Sequence, residues 1–297
     1  MFEAVCESAE MWKRVLDCVK ETTKMGNLEC SPSGIQLQAM ESSHISLLSL
    51  LLRSEGFKQY NCARNVNLGL NFENMQKIIK CAEKSDTLTM RFDGSASPDT
   101  LAFQVESPNQ EKVSEFTMKL MEIDAESLGI PTAEYKSVVS MPSADFTKLC
   151  RDMSTFGENV TITVKNGEVI FQATGDIGTG STTLKPTMAA DLCRSLIKKE
   201  EEGAAPAPAD NSSGKKKDKD EGEKERNAII METKEEVSLN FALKHLVNYC
   251  KAGVLSDRVK ICISSEDPLL VEYRIQGYGY IRFYLAPKVD ETEEEGA

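Results

Sequence analysis

Four stretches of this chain carry apolar residues at helical spacing, and no other feature limits the possible folds so tightly. Residues 10–20 present Trp12, Val15, Leu16 and Val19, the i, i+3, i+4, i+7 spacing of one buried helix face. Residues 72–82 repeat it with Met75, Ile78, Ile79 and Ala82, and residues 143–153 with Phe146, Leu149, Cys150 and Met153. Residues 241–251 give Leu243, Leu246, Val247 and Cys250. The second and fourth copies open alike, GLNFENMQKIIKCA against SLNFALKHLVNYCKA.

A strand-like segment precedes each helix: FEAVCE, NVNLGLNF, YKSVVSM and EVSLNF. Alternating apolar segments follow, divided by turn residues such as SPSG, DGSASPD, KNG and SEDP. The unit is therefore β-α-β-β-β, taken four times, an α+β fold whose two halves repeat one another. Between the halves runs a connector, residues 121–134, acidic at first and ending in Leu-Gly-Ile-Pro, which its proline keeps out of a helix. These boundaries give an N-terminal domain over 1–120, a C-terminal domain over 135–290 and an acidic tail over 291–297.

The first two helix-to-helix spacings are between about 60 and 75 residues, and the third is close to 100. The excess is an insertion at about 186–227 containing EEEGAAPAPADNSSGKKKDKDEGEKER. Proline-, alanine- and charge-rich sequence of this kind buries too little apolar surface to order itself, and we read it as a disordered surface loop. Its Lys215–217 run reads as solvated linker in preference to an address signal.

Nine cysteines stand singly with no Cys-x-x-Cys pair, the usage of a reducing compartment. With only His44 and His245 present, neither a zinc site nor a cofactor is expected. The longest apolar run, ISLLSLLL at 45–52, is too short to span a bilayer, and the first residues lack the pattern of a secretory signal.

Net charge is −12, which by itself disfavours a nucleic-acid partner. Yet the outer face of every helix is basic: Lys13, Arg14 and Lys20 on the first, Lys77 and Lys80 on the second, Lys148 and Arg151 on the third, Lys244 and Lys251 on the fourth. One such face is ordinary solvent exposure. Four in the same register describe a positive surface suited to a phosphate backbone, with no arrangement for reading bases.

The stretches GIQLQAMESSHISLLSLLLRSEGF, SPNQEKVSEF, LGIP, AEY, MPSADFTKLCRDMS, DPLLVEY and YLAPK carry a close resemblance. Outside the insertion, the chain is similar to the eukaryotic DNA sliding clamps of the proliferating cell nuclear antigen family. That resemblance implies the processivity fold: a homotrimeric ring with helices inside and sheets outside, encircling double-stranded DNA without sequence preference. It implies a nuclear processivity factor for replication and repair, loaded by a clamp loader, that tethers DNA polymerase and other clients through short hydrophobic peptides. The client pocket would comprise Met40, His44, Ile45, Leu47, Leu128, Gly129, Ile130, Pro131, Pro268, Tyr284, Ala286 and Pro287. Subunits would join through Glu111, Lys112, Val113, Ser114, Glu115 and Phe116 of one edge strand. The other edge would supply Gly178, Thr179, Gly180, Ser181, Thr182, Thr183 and Leu184. An edge strand left unpaired is a liability, so such pairing is physically expected.

Enzymatic readings fare worse. GDIGTGS at 175–181 has the glycines of a phosphate loop but neither its lysine nor its helix, and the two histidines build no catalytic set. Two other readings stand as alternatives: a subunit of a heterotrimeric checkpoint-type clamp, and an interaction scaffold that never encircles DNA. The intact connector, pocket and edge strands favour the self-associating clamp.

Overall fold

The computed structural model describes residues 1–124, 134–187 and 227–288. It divides into two compact units, Met1–Pro131 with Arg274–Arg282, and Thr132–Tyr273 with Phe283–Ala297.

The first unit runs β1 (Phe2–Cys6), α1 (Ala9–Val19), β2 (Met25–Ser31), β3 (Gly34–Met40), β4 (Ser46–Arg53), β5 (Gln59–Cys62), β6 (Val66–Asn71), α2 (Phe72–Lys80), β7 (Thr87–Phe92), β8 (Thr100–Glu106) and β9 (Val113–Lys119). One sheet has the order β5-β1-β7-β8-β9, and the strands β4-β3-β2-β6 neighbour one another in a second. The opening strand of each repeat is exchanged. β1 pairs with β7, the first strand after α2, and β6 pairs with β2, the first strand after α1.

Helix starts follow the same exchange. Ser8 caps α1 by accepting from the Glu10 amide at 3.2 Å, and Asn71 caps α2 by accepting from the Asn74 amide at 2.9 Å. The Ala9 amide reaches the carbonyl of Asp86, just before β7, at 2.9 Å, and the Phe72 amide reaches that of Lys24, just before β2, at 2.8 Å. Each helix thus spends an orphan N-terminal donor on the other repeat. The expected apolar stripes are buried, with Ile78 alone half-covered, and α1 packs against α2.

The second half of the chain repeats the plan, although its residues Arg274–Arg282 count with the first unit: β10 (Ser137–Pro142), α3 (Ser143–Phe156), β11 (Asn159–Lys165), β12 (Glu168–Gly175), β13 (Gly178–Leu184), β14 (Ile230–Thr233), β15 (Val237–Ala242), α4 (Leu243–Tyr249), β16 (Arg258–Ile263), β17 (Leu269–Ile275) and β18 (Gly279–Leu285). Strands lie in the orders β14-β10-β16-β17 and β13-β12-β11-β15. The exchange recurs: β10 pairs with β16 and β15 with β11. So do the helix anchors, Ser143 amide to Asp257 carbonyl at 2.9 Å and Leu243 amide to Glu158 carbonyl at 2.8 Å. α3 and α4 have no side-chain cap, so these backbone bonds matter more there. Asn166 and Gly167, with φ of 54° and 75°, form the two-residue turn that joins β11 to β12.

Two features depart from the sequence reading. Short strands β5 and β14 were not expected; each lengthens a sheet by pairing with the opening strand of its half, β1 or β10. In α4 the buried residues are Leu243, His245, Leu246 and Tyr249, while Val247, expected on the stripe, is 37% exposed. The helix is short, passing into a 3₁₀ turn at Cys250–Val254, and its rotation follows its largest side chain. Tyr249 stacks on Phe283 with centroids 4.4 Å apart and rings 15° from parallel. Burying that ring outweighs burying one valine.

The insertion leaves and re-enters through a closed neck. Thr187 and Ile229 are joined by a backbone bond (Thr187 amide to Ile229 carbonyl, 3.0 Å), and the Ile229 amide donates to Thr187 Oγ1 at 3.0 Å. Arg258 then donates to the Ala228 carbonyl at 3.0 Å and to Ser140 Oγ. Residues 188–226, which include most of the expected insertion, lie outside the described residues, as does the tail.

Candidate functional site

Each unit offers a pair of packed helices with a basic outer face, and the cations on them are not equivalent. On α1, Lys13 Nζ donates to the Ala82 carbonyl beyond the end of α2 at 2.6 Å, where it satisfies a backbone acceptor near a negative helix terminus. Arg14 Nε is held by Glu10 at 2.9 Å, and Lys20 Nζ by Asp17 at 2.9 Å. Asp17 also accepts from Gln76 Nε2 at 2.6 Å, linking α1 to α2. The Arg14 bond, with Lys84 Nζ 3.3 Å away, holds the Glu10 carboxyl below the usual glutamate range, and Asp17 raises Lys20 above the usual lysine range.

The other helices differ. Lys77 on α2 makes only a 3.3 Å bond to Asn74 Oδ1. Lys80, Lys148, Arg151 and Lys244 are exposed, and among the described residues no carboxylate pairs with them. Lys251 is exposed on the 3₁₀ turn after α4. Eight of the nine basic residues picked out by sequence sit on helices α1 to α4 or that turn, and Lys20 caps the C-terminus of α1. Residue type alone does not divide them into engaged and open cations, although the spacing Glu10–Arg14 (i, i+4) and Asp17–Lys20 (i, i+3) signals that division.

The edge segments are both at sheet margins. β9 pairs only with β8, and β13 only with β12, leaving one side of each backbone without a ladder partner among the described strands. Glu111 and Lys112 lie just ahead of β9 and are exposed; within it Val113 is 52% exposed, and Ser114, Glu115 and Phe116 remain partly or fully accessible. On β13, Gly178, Thr179, Ser181 and Thr183 are exposed, Thr182 is half-buried, and Gly180 and Leu184 face inward. Gly180 is required by its neighbour, since a Cβ there would stand 2.5 Å from the Phe156 ring. Beside it Asp152, Met153, Thr155 and Phe156 of α3 and Gly180, Ser181 and Thr182 of β13 line an open depression of about 390 Å³.

Residues expected in the client pocket fall in three groups. In the first unit, Met40 and Leu47 are half-buried at the ends of β3 and β4, and the loop between them exposes His44 and Ile45. That loop is held by the Glu41 amide on the Ser46 carbonyl (2.8 Å) and the His44 amide on the Glu41 carbonyl (2.9 Å). His44 takes φ 58° and brings Nδ1 to 3.0 Å from Met40 Sδ. In the second unit, Pro268 is half-buried and its carbonyl accepts from the Tyr135 hydroxyl at 2.8 Å; Tyr284 is buried, Pro287 half-buried and Ala286 exposed. Leu128, Gly129, Ile130 and Pro131 lie outside the described residues. The connector's opening is anchored to the first unit: the Met121 amide bonds the Gly69 carbonyl at 2.9 Å, and Asn27 Nδ2 bonds the Ile123 carbonyl at 3.0 Å. A Cβ on residue 69 would lie 2.0 Å from the Met121 carbonyl oxygen, so only glycine admits that strand.

Among the described residues these surfaces assemble no nucleophile with a base; what they offer is charge, apolar cover and open strand edges. Two family models match the chain. That for proliferating cell nuclear antigen, N-terminal domain, matches residues 1–128, and that for proliferating cell nuclear antigen, C-terminal domain, matches residues 129–204 and 206–288.

Proposed function

This chain belongs to the proliferating cell nuclear antigen family, and we propose that three copies of it close into a ring around duplex DNA through β9 of one copy and β13 of the next. As a family member it is a sliding clamp with a processivity role in DNA replication and repair, and not an enzyme. The ring is supported above all by the open edges of β9 and β13, one in each unit, whose pairing would remove a liability that a monomer retains. The helix pairs would then line the hole. Their open cations would face phosphates while the acidic remainder of a chain of charge −12 repels DNA elsewhere, so that topology and not contact affinity retains the clamp.

Met40, His44, Ile45, Leu47, Leu128, Gly129, Ile130, Pro131, Pro268, Tyr284, Ala286 and Pro287 would receive the hydrophobic plug of a client peptide, with DNA polymerase and the clamp loader among the clients. The exposed Ile45 beside Met40 and Leu47 supplies apolar cover of the kind such a plug needs. The same reading puts the protein in the nucleus, with residues 121–134 as the connector between domains 1–120 and 135–290.

Light scattering on the full chain tests the assembly. A mass three times the 32.8 kDa chain is expected, and Val113→Glu with Thr182→Glu should reduce it to one chain. A monomer of the unaltered chain at micromolar concentration refutes the homotrimer.

A further inference from the structure

The helix pair of the second unit holds two sulfurs that the clamp reading does not use. Cys150 lies on the buried face of α3, and Cys250 opens the 3₁₀ turn that ends α4. The register brings them together. A Cβ on Gly253 would lie 3.4 Å from Ser143 Cβ and 3.8 Å from Thr147 Oγ1, so the turn packs on the face of α3 that carries Ser143, Thr147 and Cys150. Cys250 precedes Gly253 by three residues, one 3₁₀ turn on the same side, just as Cys150 follows Thr147 by one turn of α3. This register sets the two free thiols against one another, each the largest electrostatic influence on the other.

Their surroundings divide the labour. Cys250 is 8% exposed and Cys150 1%. The Cys150 thiol and, less strongly, the nearby Arg151 guanidinium hold the Cys250 thiol below its ordinary value. The neighbouring Cys250 and burial push Cys150 well above its own. Both thiols are buried, and Cys250 is the less covered of the two, which orders them as an attacking and a resolving cysteine.

We propose that Cys150 and Cys250 are a peroxide-responsive thiol pair that closes into a reversible disulfide between α3 and the turn after α4. The Cys250 thiolate attacks one oxygen of hydrogen peroxide and the O–O bond breaks. Hydroxide leaves, takes a proton and becomes water, while the sulfur is oxidised to a sulfenic acid. Cys150 then loses its proton and attacks the sulfenic sulfur, the S–O bond breaks, and a second water departs. Two thiols give up two electrons and one peroxide accepts them. The bond joins residues whose chain neighbours, Arg151 and Lys251, are exposed cations, so it fixes the spacing between two charges on the basic face. It also closes a long loop, which raises resistance to unfolding in the oxidised form.

The test uses the full chain, reduced, then exposed briefly to hydrogen peroxide below its thermal transition, alkylated and digested without reductant. A single linked pair of peptides containing Cys150 and Cys250, lighter by two hydrogens and separated by dithiothreitol, is expected, with an upward shift in Tm that dithiothreitol abolishes. In Cys150→Ser, dimedone should trap a sulfenic acid on Cys250; in Cys250→Ser, Cys150 should stay reduced. The unsubstituted chain gives an independent reading, since iodoacetamide should label Cys250 faster than Cys150. Oxidation of the exposed Cys81 without the 150–250 link, pairing of either cysteine elsewhere, or equal labelling of the two thiols overturns the proposal.

Discussion

Replacing Lys80, Lys148, Arg151 and Lys244 together by glutamine should weaken duplex binding far more than replacing Lys13, Arg14 and Lys20. The two sets are near in number and both sit on helix faces, so a count of charges predicts similar losses. The structure does not. Lys13 is committed to the Ala82 carbonyl at 2.6 Å, and Arg14 and Lys20 to Glu10 and Asp17 at 2.9 Å. Engaging phosphate from that set means giving up a local partner, and the carboxylate released then faces the DNA. Exposed pairs of this type are worth only ~0–1 kcal/mol, so they do not hold the helix together, but they do cancel its field. Each phosphate neutralised contributes about 0.9 to the slope of log K against log salt. Four open cations therefore carry up to about 3.6 of that slope for each chain engaged, and the α1 set less than about 1. Anisotropy of a labelled linear duplex, titrated at salt from about 50 to 200 mM, measures both slopes, with thermal melting to check that each variant folds. Equal losses from the two sets, or a greater loss from the α1 set, would refute the division into engaged and open cations.

Other expectations concern stability. Glu10→Gln should cost under about 1 kcal/mol at pH 7 and less at a pH well below the ordinary glutamate value. The lowered carboxyl contributes above the ordinary glutamate value and loses its contribution as pH falls through the folded one, which urea midpoints at the two pH values will show. Tyr249→Ala should cost about 3–5 kcal/mol and Val247→Ala no more than about 0.5 kcal/mol, the reverse of what the sequence stripe implies; chemical denaturation decides. Asn71→Ala should cost about 1 kcal/mol through loss of the α2 cap, read from the same denaturation curves. Exchanging residues 190–225 for about four glycines and serines should leave Tm nearly unchanged, because Thr187 and Ile229 already hold the ends together and closure entropy grows slowly with loop length. A large fall in Tm would show that the insertion supports the fold.

Much of the fold is legible in the sequence because helix and strand periods alternate so regularly here. Val15, Leu16 and Val19 or Phe146, Leu149 and Met153 announce a buried face without any knowledge of what covers it. Strands β5 and β14 are not legible, because QYNC and IMET carry too little alternation over four residues to stand out from loop. The rotation of α4 escapes the pattern for a related reason. So short a helix admits either Val247 or the pair His245 and Tyr249 on the buried face beside Leu243 and Leu246, and only the partner ring of Phe283, distant in sequence, selects the second. For the site, residue types mark the basic faces, but which cation is open depends on where the carboxylates reach, and the Ala82 carbonyl that engages Lys13 has no signature in the sequence.

The exchange of opening strands explains why the repeat is read so easily and yet is not the folding unit. β1 belongs in sequence to the first repeat and in the sheet to the second, and α1 spends its first amide on Asp86, seventy-odd residues away. A fragment ending after β4 would leave β1 without β7, β2 without β6 and the N-terminus of α1 unanchored, and it would leave the buried face of α1 without α2 to pack against. The same holds for β10 and β15 in the second unit. The smallest piece that keeps its exchanged strands and its helix anchors is thus a pair of repeats. A chain of residues 1–63 should remain unfolded by circular dichroism, whereas residues 1–124 retain every exchanged strand and both anchors of their half. Independent folding of residues 1–63 would show that the exchange is a decoration on a repeat that already closes its own sheet.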